Sequence, residues 1–162
     1  MAKIIIFTDI HGETQNLLRL EPIIEGANAA LFLGDGIRSL EILSGAARKK
    51  LTVVRGNCDT FADMFARLPS ELQIEVAGKR IFMTHGHNYD VKSTASVIQK
   101  KAAELAVHVC VYGHTHKYKT WEYGGILFIN VPTIGTKNTD QPGRYVELVI
   151  DGDKISHFVK KV

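Results

Sequence analysis

The sequence predicts an α/β fold: a four-layer α/β/β/α sandwich of two facing mixed β-sheets flanked by helices. Three observations lead there. Through Pro69 the chain alternates short apolar runs with segments of helical spacing, the order of β-α units. From Leu72 onward it turns mainly to β-hairpins, with turns at Ala77-Gly78-Lys79, Gly124-Gly125 and Asp151-Gly152-Asp153. Helices must then cover the outside while two sheets face each other across one core. Thirdly, five apolar runs end at once in Asp, Asn or His, at the strand ends beyond which such sheets hold their ligands.

Ile4 to Phe7 are consecutive apolar residues, as in a strand covered on both faces. A helix opens at Gly12-Glu13-Thr14 and runs through Leu17, Leu18 and Leu20, with Pro22 as its stop. Ala29 to Leu33 is a second buried strand and delivers Gly34-Asp35-Gly36. A short helix is expected around Leu40 to Ala47, then a third strand from Leu51 to Val54 that ends in Arg55-Gly56-Asn57. Asp59 is placed to cap a helix whose apolar positions Phe61, Met64, Phe65 and Leu68 have helical spacing. Leu72 to Val76 and Ile81 to Met83 pair as a hairpin that runs into His85. Asp90 to Leu105 reads as a helix with Val91, Val97, Ile98, Ala102 and Leu105 inward, followed by a buried strand from Val107 to Val111 that ends at Gly113-His114. Tyr118 to Tyr123, Ile126 to Asn130, Arg144 to Ile150 and Lys154 to Val159 are the remaining strands.

The 162 residues are expected to form one domain, 1–162, long enough to bury a real core. Apolar residues at 45% and charged ones at 23% are ordinary for a soluble globular protein. The net charge of +3 is small, and Arg48-Lys49-Lys50 and Lys160-Lys161 read as solvated surface. No clear basic track with interleaved aromatics is evident, so the sequence gives no sign that favours a nucleic-acid partner. Cys58 and Cys110 cannot make a disulfide framework. The Met1-to-Thr8 run is too short for a signal peptide and no apolar stretch has membrane-spanning length, so the expected location is cytoplasmic.

The stretch Thr8-Asp9-Ile10-His11-Gly12 sets a carboxylate and an imidazole on one side of chain leaving the first strand. Gly34-Asp35, Gly56-Asn57-Cys58-Asp59, Thr84-His85-Gly86-His87 and Gly113-His114-Thr115-His116 repeat the arrangement. Each piece alone has a plainer reading: Asp-x-His as an N-cap with a surface His, Gly34-Asp35 as a turn, Asp59 as a cap. Their coincidence at one end of the strands decides for a metal site, because burying so many imidazoles and carboxylates without a cation is costly. The expected ligands are Asp9, His11, Asp35, Asn57, His85, His114 and His116, a set of N and O donors without thiolate that suits Mn²⁺, with Ni²⁺, Zn²⁺ or Fe as alternatives. His108 and His157 read as structural. Two divalent ions sharing a bridging carboxylate generate hydroxide near neutral pH and hold a phosphate ester for in-line attack. The expected activity is therefore phosphate-ester hydrolysis.

The ordered set of these five segments resembles the calcineurin-like metallophosphoesterase superfamily, and the chain's size and its Gly-Asn-Cys-Asp segment resemble the small YfcE-type phosphodiesterases. The resemblance implies one metal held by Asp9, His11, Asp35 and His116. A second would be held by Asp35, Asn57, His85 and His114, with Asp35 bridging. It also implies catalytic roles for Asp9, Asp35, Asn57 and Asp59, a small-molecule phosphodiester as substrate, and pairing into a homodimer or homotetramer. Phosphomonoesterases of the superfamily carry His where this chain has Cys58, a poor proton donor, so diesters with acidic alcohols are the expected substrates. His87 is a candidate for the missing acid. The superfamily's second acidic residue after Gly34-Asp35 is not matched at Arg38 or Ser39, and Asn130-Val131-Pro132-Thr133 departs from the family's tighter turn. The superfamily also contains a retromer scaffolding subunit, so a protein-binding scaffold of weak or no activity is the alternative.

Overall fold

In the computed structural model, which describes residues 1–59, 67–136 and 142–162, the strands assemble into two five-stranded sheets. One sheet has the order β10-β9-β1-β2-β3, from β1 (Ala2–Phe7), β2 (Ala29–Phe32), β3 (Leu51–Val53), β9 (Arg144–Asp151) and β10 (Lys154–Lys161). The other has the order β4-β5-β6-β8-β7, from β4 (Glu71–Val76), β5 (Lys79–Thr84), β6 (Val109–Tyr112), β7 (Lys119–Tyr123) and β8 (Ile126–Asn130). Both are mixed: β1, β2 and β3 run parallel, as do β5, β6 and β8, while the hairpin partners are antiparallel.

Alternation along the strands makes the layers. Ile4, Ile6 and Leu31 face Ile81, Met83 and Val109 between the sheets. Ile5, Phe7 and Phe32 point the other way, onto Leu17, Leu20 and Ile24 of α1 (Thr14–Glu25). Phe82, Cys110 and Phe128 on the far sheet pack against Ile98 and Ala102 of α3 (Ser96–Glu104). The four-layer α/β/β/α order is thus the one the sequence predicts, and strands buried on both faces explain the unbroken apolar runs.

Three helical expectations change. Pro22 does not stop α1, which continues to Glu25 and ends at Gly26. Proline costs the helix one hydrogen bond, but Leu20 and Ile24 on either side are fully buried and hold the last turn on the core. The helix expected over Leu40 to Ala47 is split into a 3-10 turn (Ile37–Ile42) and a short α2 (Gly45–Arg48). Leu43 is extended between them, and Ser44 Oγ caps the new helix by accepting from Ala47 N at 3.1 Å. The helix expected from Asp90 begins only at Ser96: Asp90 itself has φ +48°, outside the α-helical region, and Val97 is 47% exposed rather than inward. Most of the helix expected over Phe61 to Leu68 lies outside the described residues.

Candidate metal centre

The loops that follow β1, β2, β3, β5 and β6 come together at one edge of the sandwich. Asp9 and His11 arrive from β1, Asp35 from β2, His85 and His87 from β5, and His114 and His116 from β6. Ligand atoms of Asp9, His11 and His116 lie within 4.8 Å of one another, and so do those of Asp35, His85 and His114. A third such group, His11, Asp35 and Cys58, overlaps both. Asn57 is exposed on the same rim, its Nδ2 donating to Cys58 Sγ at 3.3 Å.

Among the described residues eight non-glycine positions have positive φ, and five of them are Asp9, His11, Asp35, His114 and His116. Left-handed backbone is unfavourable for such side chains and persists only where surroundings over-determine it. Asp59 supplies much of that determination. Its buried carboxylate accepts from the backbone N–H groups of Asp35 (2.7 Å), Gly36 (2.8 Å), Ile37 (3.0 Å) and Gly56 (2.8 Å), so it ties the second and third loops together. At Gly56 a Cβ would collide with Asp35 Oδ1, and at Gly113 with the Thr8 hydroxyl; only glycine lets these loops approach. Thr133 Oγ1 donates to Asp9 O at 2.7 Å, propping the first loop from the stretch whose family turn was absent.

The donor chemistry tests whether cations fit. His85 Nδ1 lies 2.9 Å from the Leu33 carbonyl, which only accepts, so Nδ1 carries a proton. Nε2 is left facing Asp35 Oδ2 at 3.3 Å and His114 Nδ1 at 3.1 Å. Asp9 Oδ2 accepts from Thr8 Oγ1 (2.8 Å) and His114 N (3.2 Å), but Oδ1 is buried without a hydrogen bond, 3.1 Å from His116 Nε2 and 3.5 Å from His11 Nε2. Two clusters of lone pairs therefore converge on points where only a proton or a cation relieves them. Divalent ions fit both, with His85 already held in its Nε2-coordinating tautomer by a backbone carbonyl.

Electrostatics agree in direction. Burial alone would raise Asp9, but the imidazoles of His11, His116 and His85 hold it below the ordinary carboxylate range. Asp35 is likewise lowered, burial being outweighed by His85. His11 is raised by Asp9; His85 is raised because Asp35 and Asp9 outweigh its burial. Burial and the charge of His85 lower His87, and push His114 down to about 4. Burial, with Asp35 next to it, pushes the Cys58 thiol up to about 11. Cys58 is exposed on the ligand side, so packing is not its role.

These shifts fix a sign for the metal-stripped protein. Protons held by folded His11 and His85 stabilise it fully below the ordinary histidine value of 6.5, and that contribution is lost as pH rises through their raised values. Folded His87 and His114 refuse protons that the unfolded chain accepts, so stability also falls as pH drops below 6.5. Asp9 and Asp35 lose their contribution at still lower pH, below the unfolded carboxylate value. The melting temperature without metal is expected to peak near pH 6.5 and fall on both sides, and metal uptake above that pH to release protons. A melting temperature that climbs steadily to pH 8 would contradict these assignments.

Other histidines, aromatics and the arginine after β3 fall outside the clusters. His108 Nδ1 accepts from Arg80 N at 3.0 Å, and His157 Nδ1 is bonded to Tyr118 Oη at 3.1 Å, both structural as expected. Tyr89 packs in the core and bonds Glu71, Trp121 stacks on Phe128, and only Tyr123 is freely exposed. Arg55 is half-buried, and its charge contributes to lowering His87. The supporting roles of Thr8, Thr133 and the Leu33 carbonyl left no trace in the sequence pattern, since each depends on contacts made across the fold.

The profile of the calcineurin-like phosphoesterase superfamily domain matches residues 2–153. Among curated proteins, the chain is 29% identical to a probable metallophosphoesterase, YsnB, of Bacillus subtilis, covering 93% of this chain and 85% of that one. It is 28% identical to the phosphodiesterase YfcE of Escherichia coli, covering 96% and 91%. Among solved structures, a conserved Streptococcus pneumoniae protein described as a predicted phosphoesterase superposes with a TM-score of 0.77 at 25% identity, covering 98% of both chains. Vacuolar Protein Sorting 29 of Cryptosporidium parvum shares the fold, with a TM-score of 0.83 at 19% identity over 99% of this chain and 91% of that one.

Proposed function

This chain belongs to the calcineurin-like phosphoesterase superfamily, and on that premise we propose that it is a phosphodiesterase working with two divalent metal ions. It is a metal-dependent phosphoric ester hydrolase. The two-ion reading rests above all on the pair of lone-pair clusters, Asp9–His11–His116 and Asp35–His85–His114. In this reading Asp35 serves both and Asn57 adds an amide oxygen to the second. Mn²⁺ suits these N and O donors, with Ni²⁺, Zn²⁺ or Fe as alternatives. When bound, such ions would acidify a water and offset the charge of the phosphate oxygens.

The remaining work falls to the chain's own groups. Asp59 holds the Asp35 and Gly56 backbones in place. His87 sits beside the second cluster, 5.4 Å from the His85 ring and 6.3 Å from that of His114 between centroids, with a buried Nδ1 lacking a hydrogen bond. It is the candidate to protonate a departing alcohol, although its lowered pKa leaves it mostly neutral at pH 7. Cys58, at about 11, holds its proton too tightly to deliver it readily. Substrates whose alcohol leaves as a stable anion are therefore favoured, and those are activated diesters rather than alkyl monoesters.

Hydrolysis of bis-p-nitrophenyl phosphate, whose alcohol leaves as a stable anion, and of the alkyl monoester glycerol 2-phosphate, whose alcohol needs a proton, run with several metals, tests this. The native protein should prefer the diester, and Cys58→His should raise monoester turnover more than diester turnover. An equal rise in both would remove the leaving-group argument. The scaffold alternative shares the fold and predicts that Asp35→Asn and His85→Ala change no activity.

A further inference from the structure

A cleft leaves the metal centre on its His114–His116 side. Its two lobes, of about 510 and 560 Å³, share Lys92, Thr115, Lys117 and Tyr118 in their walls, and the first also touches His114 and His116. Each lobe has the size of a small-molecule site. Lys92 and Lys117 line both lobes, Arg144 the first and Lys119 the second, and among the described residues no Asp or Glu lines either. The whole chain carries 17 acidic residues against 20 basic, so a described lining that holds basic side chains and no acid departs from the chain's average. Among the described residues the lysine ion pairs belong to Lys79, Lys101 and Lys160, and Lys92 and Lys117 are exposed without one. Tyr118, fixed by its bond to His157, gives the cleft a rigid wall.

Lys92 and Lys117, exposed beside the proposed phosphate-binding centre and without an ion pair among the described residues, attract anions, and metal ions bound there would already answer the charge of the scissile phosphate. Resting on the phosphodiesterase reading above, we propose that this cleft takes a second phosphate carried on the retained arm of the substrate, so that the preferred substrates are small diesters with a phosphomonoester on one alcohol. Lys92 and Lys117 are the specificity-determining residues. They bind the remote phosphate and take no part in breaking the scissile bond.

The test uses two diesters with one scissile bond and one leaving group: thymidine 5′-(p-nitrophenyl phosphate) and its 3′-phosphorylated form, with the Mn²⁺-loaded protein. The 3′-phosphate is expected to lower KM about tenfold with little change in kcat, the scale of one charge-assisted contact. In the Lys92→Ala/Lys117→Ala double variant, whose exposed positions leave the core untouched, the ratio of the two KM values should shrink toward one. A ratio of one in the native protein, or an unaltered ratio in the variant, would overturn the cleft assignment. Faster cleavage of a single-stranded oligonucleotide than of the bisphosphorylated nucleoside would overturn it in favour of a polymer. Hydrolysis of neither nucleoside diester, in a protein that still binds Mn²⁺, would instead sink the phosphodiesterase reading and the cleft with it.

Discussion

Asp35→Asn is expected to lower kcat/KM for bis-p-nitrophenyl phosphate by roughly three orders of magnitude, the several kcal/mol that a lost metal contribution represents. Asp35 is the carboxylate that faces both sets of ligands: it belongs with His85 and His114 in one group and with His11 and Cys58 in another. Asparagine fills the same space and can still accept from Cys58 N, a bond of 2.8 Å in the native chain, so the loop should keep its shape. What disappears is the negative charge that two divalent ions would share. The melting temperature without metal should fall somewhat, since His85 loses the carboxylate that raises its pKa, while the stabilisation on adding Mn²⁺ should largely vanish, since binding to the folded state alone raises stability. Metal-dependent activity within tenfold of native would remove Asp35 from the reaction.

Asp59→Ala should be the most damaging change to stability, at about 3–5 kcal/mol, the range for stripping the partner from buried polar groups that depend on a charge. The residue touches none of the converging lone pairs, yet four backbone N–H groups from two loops end on its carboxylate. Alanine leaves those donors facing a void. Asn keeps one acceptor oxygen but turns an NH₂ toward other N–H groups, so Asp59→Asn should be intermediate in chemical denaturation. Because Asp35 and Gly56 are held through Asp59, metal affinity should fall along with stability in both variants. A variant with native stability and weakened activity alone would mean that Asp59 acts on the substrate directly.

Much of this was legible because the ligands are local. Asp9-x-His11 and His114-x-His116 are each written in three residues at the end of an apolar run, and a run buried on both faces announces its own strand. Position in the sheet then follows from α/β topology, which gathers the carboxyl ends of the strands. The misses share a physical cause, tertiary contact overriding local preference. Pro22 sits inside α1 because the core grips its neighbours, and Asp90 turns left-handed where α3 is expected to begin. Three of the four bonds to Asp59 and the prop of Thr133 on Asp9 join residues 22 or more apart in sequence. The cationic cleft escaped for the same reason: Lys92, Lys117 and Arg144 come from three separate segments, none of them a basic run.

Calorimetric titration of the metal-stripped protein with Mn²⁺, with diester hydrolysis followed in the same samples, bears most directly on the two-ion centre. Binding should saturate at two ions per chain with protons released at pH 8, and turnover should rise steeply only as the second ion enters. Turnover that is complete at one ion per chain, or that persists with none, would contradict it.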